Sequence, residues 1–272
     1  MSTDHDDHGD DVQRTEHERG DTAAVALAPA IVAPPDRLTR LKDRTDARIA
    51  LGRARSGLPT APHLRFALDH AMARDAVHSA LDIESLSASF AALGFEPFRA
   101  TSQAGDRTHY LARPDLGRLL DVDSRHELEV EAGGDLAIVV ADGLSATAVN
   151  LNAVETVEAL KTVCDLDMRL VLATGARVAL GDHIAIALSC ETVLVLIGER
   201  PGLSAADSLG AYVTHQPRPD MEDAERFCVS NIRSGGLKPR DAARRIADLI
   251  ETARERGYAG VTRRDEAKRI ED

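Results

Sequence analysis

Five consecutive β-branched or leucine residues, Val193 to Ile197, end abruptly at Gly198-Glu-Arg-Pro-Gly202. An apolar run of this length with no polar alternation predicts a strand buried on both faces, as in a parallel sheet with helices above and below. Pro201 and Gly202 stop the strand, and Ser204 with Asp207 three residues on predicts a capping box that opens a short helix. The same pattern occurs upstream. Leu136–Ala141 is apolar, Asp142-Gly-Leu-Ser145 is a turn with Ser145 as N-cap, and a helical run continues to about Val163. Arg169–Ala173 and Thr192–Ile197 are the second and third strands, separated by a short helix over Asp182–Leu188. Near the C-terminus, Pro239 sits in the first turn of a helix whose stripe is Ile246, Leu249, Ile250 and Ala253 and whose stop is Gly257.

Before residue 130 the pattern is mixed. Helices are predicted over Thr60 to about Val77, with Leu64, Leu68, Ala71 and Met72 on one face, and over Asp82 to Leu93, closed by Gly94. Phe95–Thr101 and His109–Leu111 read as short strands, and Arg113-Pro-Asp-Leu-Gly-Arg118 as a polar turn whose arginines either clamp an anion or solvate a loop. The fold class is therefore α/β. A Rossmann-like parallel sheet flanked by helices (131–265) follows a smaller, mainly helical mixed region (41–130) and a disordered acidic tail and linker (1–40).

Composition narrows the function. The net charge of −12 over 272 residues is concentrated in residues 1–21, where eight acids face only Arg14 and Arg19. With no Trp, eight other aromatics and no basic stripe, the chain lacks what nucleic-acid binding needs, so no nucleic-acid partner is expected. Cys164, Cys190 and Cys228 are odd in number and form no C-x-x-C pair, which argues against a disulfide framework or structural zinc and for a reducing cytoplasm. No apolar run approaches the ~20 residues of a membrane span. His5, His8 and His17 lie in the acidic leader, where a solvated tail is the expected state and no metal site is assigned; the alanine-rich Ala23–Ala33 reads as a linker with a docking stretch.

The first strand-turn, Asp142-Gly-Leu-Ser-Ala-Thr147, lacks the repeated glycines of a dinucleotide fingerprint. Thr147 also stands where a nucleophile elbow needs glycine. Neither His183 and His215 nor the scattered carboxylates form a recognisable triad or metal cluster. No catalytic acid, base or nucleophile is assigned, and the chain reads as one that binds something without a complete active site of its own.

Several motifs in order carry a family resemblance: Ala50-Leu-Gly-Arg-Ala54 with Leu58-Pro-Thr60, His70 to His78, Arg113 to Arg118, Val140-Ala-Asp-Gly-Leu-Ser145, Gly198-Glu-Arg-Pro-Gly-Leu203, Ser208-Leu-Gly-Ala-Tyr212 and Cys228-Val-Ser-Asn-Ile232. Over roughly residues 45–265 the chain resembles the small (light) subunit of ethanolamine ammonia-lyase. The resemblance implies an adenosylcobalamin-dependent carbon–nitrogen lyase that converts ethanolamine to acetaldehyde and ammonia, in a hetero-oligomer with a large (heavy) subunit. That subunit carries the substrate site and the radical chemistry begun by cobalt–carbon homolysis, while the small chain holds the corrin from one side.

It further implies cobalamin contacts at Val178, Glu199 and Cys228, with Arg177 directed to the same pocket. A carboxylate suits the neutral amides of a corrin rim, a small apolar wall suits its edge, and a thiol is compact and polarizable. The residues taken alone also permit Val178 as core, Glu199 paired with Arg200 or capping the next helix, and Cys228 as a small buried hydrophobe. The absence of D-x-H-x-x-G accords with a base-on cofactor shared with the large subunit, and equally with no cobalamin. The acidic leader has no amphipathic stripe, so a cytoplasmic location, inside or outside an ethanolamine-utilisation microcompartment, is expected. The alternative function is a non-catalytic adapter or scaffold that binds a partner without cofactor.

Overall fold

A computed structural model describes residues 31–260 apart from Pro35, Asp46 and Ala132. The acidic leader and most of the alanine-rich stretch lie outside the described residues. The chain forms two compact units that part between Pro59 and Thr60.

In the first unit, β1 (Ile31–Val32) pairs antiparallel with β2 (Arg53–Ala54), with Ile31 opposite Ala54. Helix α1 (Asp36–Thr39) and a 3₁₀ turn at Arg40–Arg44 lie between them in sequence. Residues 31–40, assigned from sequence to the tail and linker, thus carry a short strand and a helical turn.

The second unit runs α2 (Thr60–His78), α3 (Ile83–Ala92), β3 (Phe98–Thr101), α4 (Arg107–Ala112), α5 (Val122–Val130), β4 (Leu136–Ala141), α6 (Ala146–Lys161), β5 (Met168–Thr174), α7 (Leu180–Ala187), β6 (Thr192–Gly198), β7 (Leu209–His215), β8 (Phe227–Ile232) and α8 (Pro239–Arg256). The sheet order is β3-β5-β4-β6-β7-β8. The first four strands are parallel, and β7 is antiparallel to both β6 and β8. All residues of β4 and β6 are buried, as their unbroken apolar runs require. Their side chains alternate between two cores. Leu136, Ile138, Val140, Leu194 and Leu196 meet α6 and α8; Ala137, Val139, Ala141, Val193, Val195 and Ile197 meet α7. Helix α8 buries Ile246, Ile250 and Ala253 and ends at Gly257 in the left-handed region, φ 74°.

The mixed α/β class and the mostly parallel sheet are as the sequence implies, with four differences of detail. Phe98–Thr101 from the earlier region joins the main sheet beside β5. His109–Leu111 lies inside helix α4, because the Asp106 side chain caps that helix by accepting from the His109 amide. No helix follows Ser204: Gly202 and Ala205 bridge each other, while the Ala206 and Asp207 carbonyls accept from Ser145 Oγ and Asn152 Nδ2. Lastly, β7 and β8 extend the sheet antiparallel. On α2, Leu64, Leu68 and Met72 are more than half exposed and Ala76 is the buried residue. Among the described residues, no helix is long and apolar enough to cross a membrane.

Candidate functional site

From β4 the chain crosses to β5 on one side and then to β6 on the other, so strand order reverses at β4, where doubly wound sheets place ligands at the carboxyl ends of the strands. Backbone fills the seam itself. Gly143 has φ 56°, and a Cβ there would lie 2.4 Å from the Gly198 carbonyl; a Cβ on Gly198 would lie 2.0 Å from the Ser145 carbonyl. The two loops pack so tightly that polar groups collect on either flank of the seam.

The β3–β5 flank is organised around Asp142. Its buried carboxylate accepts from the amides of Gly143, Gly175 and Ala176 at 2.9–3.0 Å and lies 3.5 Å from the Arg107 guanidinium. Burial raises its pKa, and these donors only partly offset that. Around it, Ser102 Oγ donates to the Gly175 carbonyl (2.6 Å), the Tyr110 hydroxyl to the Ala176 carbonyl (3.0 Å), and the Arg177 amide to the Gly117 carbonyl (2.8 Å). Every peptide group from Gly175 to Arg177 is therefore held from outside the loop that leads to Val178. The guanidinium of Arg177 lies 4.6 Å over the Tyr110 ring, whose phenol burial pushes up to about 12.

The β6–β8 flank is organised around Glu199, the half-buried residue after β6. Its Oε2 accepts from the Ser208 hydroxyl (2.5 Å) and the Asn231 amide (3.3 Å), and its own amide donates to the Ser208 carbonyl. Gly210 leaves room for the side chain, since a Cβ there would lie 3.1 Å from Glu199 Cγ. Tyr212 stands opposite Cys228 on the neighbouring strand. Desolvation raises the Cys228 pKa, the Tyr212 side chain pulls it back and the Glu199 charge adds to the rise. Tyr212 is raised too, first by burial and then by Cys228 and Glu199.

The structure brings Glu199 and Cys228 to one face of the sheet with Tyr212 between them. Val178 and Tyr212 both pack against the core beneath α7. The contacts of Arg177 run instead to Tyr110 and Gly117 on the other flank, and its buried Nε has no hydrogen-bond partner among the described residues. Cys228 is exposed rather than a buried hydrophobe, and Glu199 binds Ser208 and Asn231. Asp142, Arg107, Tyr110, Ser208 and Tyr212 join the site only in the folded chain. For Gly210 and Tyr212 a signal is present, because period-2 spacing puts both on one face of β7, with Ser208 just ahead of it. Asp142 and Arg107 are placed by distant partners, since the Gly175 and Ala176 amides that Asp142 holds and the Gly143 carbonyl that Arg107 reaches lie 33–36 residues away.

This arrangement defines a Rossmann-like α/β protein with two polar clusters at the carboxyl edge of its sheet. The family model for the ethanolamine ammonia-lyase light chain matches residues 35–264. The ethanolamine ammonia-lyase small subunit of Bradyrhizobium diazoefficiens is 49% identical over 84% of this chain and 90% of its own length. Those of Rhodopseudomonas palustris and Xanthomonas campestris pv. campestris are each 47% identical, over 85% and 87% of this chain and 90% of their own lengths. The chain belongs to the ethanolamine ammonia-lyase small-subunit family.

Proposed function

We propose that this chain is the small subunit of an adenosylcobalamin-dependent ethanolamine ammonia-lyase. It pairs with a large subunit that carries the substrate site, and it holds the corrin at their shared interface through Glu199, Val178 and Cys228. The meeting of three motifs is the observation that carries the reading: Glu199 stands in one, Ser208 and Gly210 come from a second and Asn231 from a third, and all meet at one carboxylate.

The residues fit a large neutral ligand edged with amides. Among the described residues, Glu199 Oε1 has no hydrogen-bond partner, so it is available to an N–H donor. The exposed Cys228 thiol and half-buried Val178 and Tyr212 supply polarizable and apolar surface, and the protonated thiol favoured by a raised pKa adds no charge there. Arg177 acts one step away, with its guanidinium on Tyr110 steadying the loop that presents Val178. Bound adenosylcobalamin supplies the homolytic cobalt–carbon bond on which the lyase reaction depends. The small subunit's part is to bind, orient and screen.

The test is release of ammonia and acetaldehyde from ethanolamine by the two subunits with adenosylcobalamin, against either subunit alone. Activity only when both chains and cofactor are present is expected. A stable two-chain complex without activity would favour the adapter reading instead. Within the active complex, Glu199→Gln is expected to raise the cobalamin Kd roughly 10- to 100-fold, the effect of losing a charge-assisted hydrogen bond, while subunit association by sedimentation stays near wild type.

A further inference from the structure

We propose that Ser208 and the Asn231 backbone amide are positioning groups for Glu199. They commit one carboxylate oxygen and leave the other as a single acceptor that selects a neutral amide over a carboxylate at the corrin rim. This rests on the cobalamin-contact reading above and adds the element that sets its selectivity.

Both Ser208 and Asn231 donate to the same oxygen, Oε2. Ser208 is 6% exposed and is tied to Glu199 twice, by hydroxyl to carboxylate and by carbonyl to the Glu199 amide. The backbone bond fixes the point from which its hydroxyl reaches Oε2. Asn231 holds φ 60°, in the left-handed region, and is fixed there by its neighbours: the Leu237 amide donates to its carbonyl (2.8 Å) and Arg233 Nε to its side-chain oxygen (2.7 Å). That constrained turn aims the Asn231 amide at Oε2. Gly210 completes the cradle, since a Cβ would lie 3.2 Å from Oε1 and 3.1 Å from Cγ. A free carboxylate offers about four lone-pair sites over two oxygens and can swivel to suit a ligand. Here the swivel is lost and only Oε1 remains. An ionised carboxylate at the facing rim position would meet that negative oxygen with no proton to share, whereas an amide NH₂ would donate to it. The arrangement discriminates through repulsion as much as attraction.

The experiment measures, in the assembled two-subunit complex at pH 7.5, the Kd of adenosylcobalamin and of its rim monocarboxylic acid derivatives by absorbance-monitored equilibrium dialysis. The wild-type complex is expected to prefer the amide form over at least one monocarboxylate by tenfold or more. Ser208→Ala should weaken amide binding about three- to tenfold and shrink that preference, because Oε2 then keeps only the longer bond from the Asn231 amide. Gly210→Ala should do the same by displacing the Glu199 side chain while keeping the Ser208 hydroxyl, and it decides the matter if Ser208→Ala fails to assemble. The ratio of the two affinities is the diagnostic, since general loosening of the fold would weaken both ligands alike. If Glu199→Gln leaves the adenosylcobalamin Kd unchanged, the cobalamin-contact reading itself fails. If Glu199→Gln weakens binding while an assembled Ser208→Ala or Gly210→Ala complex keeps full affinity and selectivity, only the positioning role is overturned.

Discussion

At Gly198 one methyl group has nowhere to go. The β4–β6 seam brings the carbonyls of Ser145 and Asp142 against its Cα, and a Cβ would overlap the Ser145 oxygen at 2.0 Å. Backbone cannot yield as a flexible side chain would, so Gly198→Ala is expected to cost about 3 kcal/mol or more. Gly257 makes a useful contrast. It ends α8 at φ 74° with open space around it, so Gly257→Ala carries only the left-handed strain of about 1 kcal/mol. Urea midpoints of the two variants should separate clearly, and equal midpoints would contradict the steric account of the seam. Both glycines stand at the ends of elements that are plain in the sequence, yet only the turn packed against Gly198 distinguishes a crowded glycine from a free one.

At the scale of the element, α6 shows how a local signal acquires a tertiary role. Ser145 is legible as an N-cap, and in the structure its Oγ accepts from the Ala148 amide at 3.2 Å. The same hydroxyl donates to the Ala206 carbonyl at 2.7 Å, 61 residues away, so the cap also pins the loop between β6 and β7. Ser145→Ala is thus expected to cost about 2 kcal/mol, the upper end for a lost cap, read as a shift in thermal midpoint. An unchanged midpoint would mean that neither bond contributes. That second bond also bears on the missing helix after Ser204: with the Ala206 and Asp207 carbonyls claimed by α6, the local capping pattern is overridden. His109–Leu111 is helical rather than extended for a related reason. Three residues show no periodicity, and the decisive residue, Asp106, stands outside them.

At the scale of the whole molecule, two histidines are expected to weaken the fold on acidification. Burial lowers the pKa of His183 in α7 and of His215 at the end of β7. A group depressed in the folded state is protonated first in the unfolded chain, so its contribution is present above about 6.5 and is lost as pH falls through the folded value. Asp142 works in the opposite direction, because burial raises it and its own titration then favours the fold on acidification. The useful measurement is therefore a comparison. Unfolding free energy between pH 7.5 and 5.5 should fall more steeply for the wild-type chain than for the His183→Gln, His215→Gln double variant. Parallel profiles would show that the histidines do not carry the linkage.

By itself, the amino-acid sequence determined the class of the fold, the three central parallel strands, the helices that cover them and the family. Continuous apolar runs, caps and stops are local properties with one stable outcome when both faces of a sheet must be buried. It also marked Glu199 as the first charge beyond the core. Tertiary structure alone decided that β7 and β8 complete the sheet, since Leu209–His215 and Phe227–Ile232 mix polar and apolar residues and become strands by pairing. It likewise divided Arg177 from Glu199 and Cys228, because chain reversal at β4 sends neighbouring motifs to opposite flanks. The cradle around Glu199 depends on contacts 9 and 32 residues apart, and only folding specifies which oxygen is left to meet a ligand.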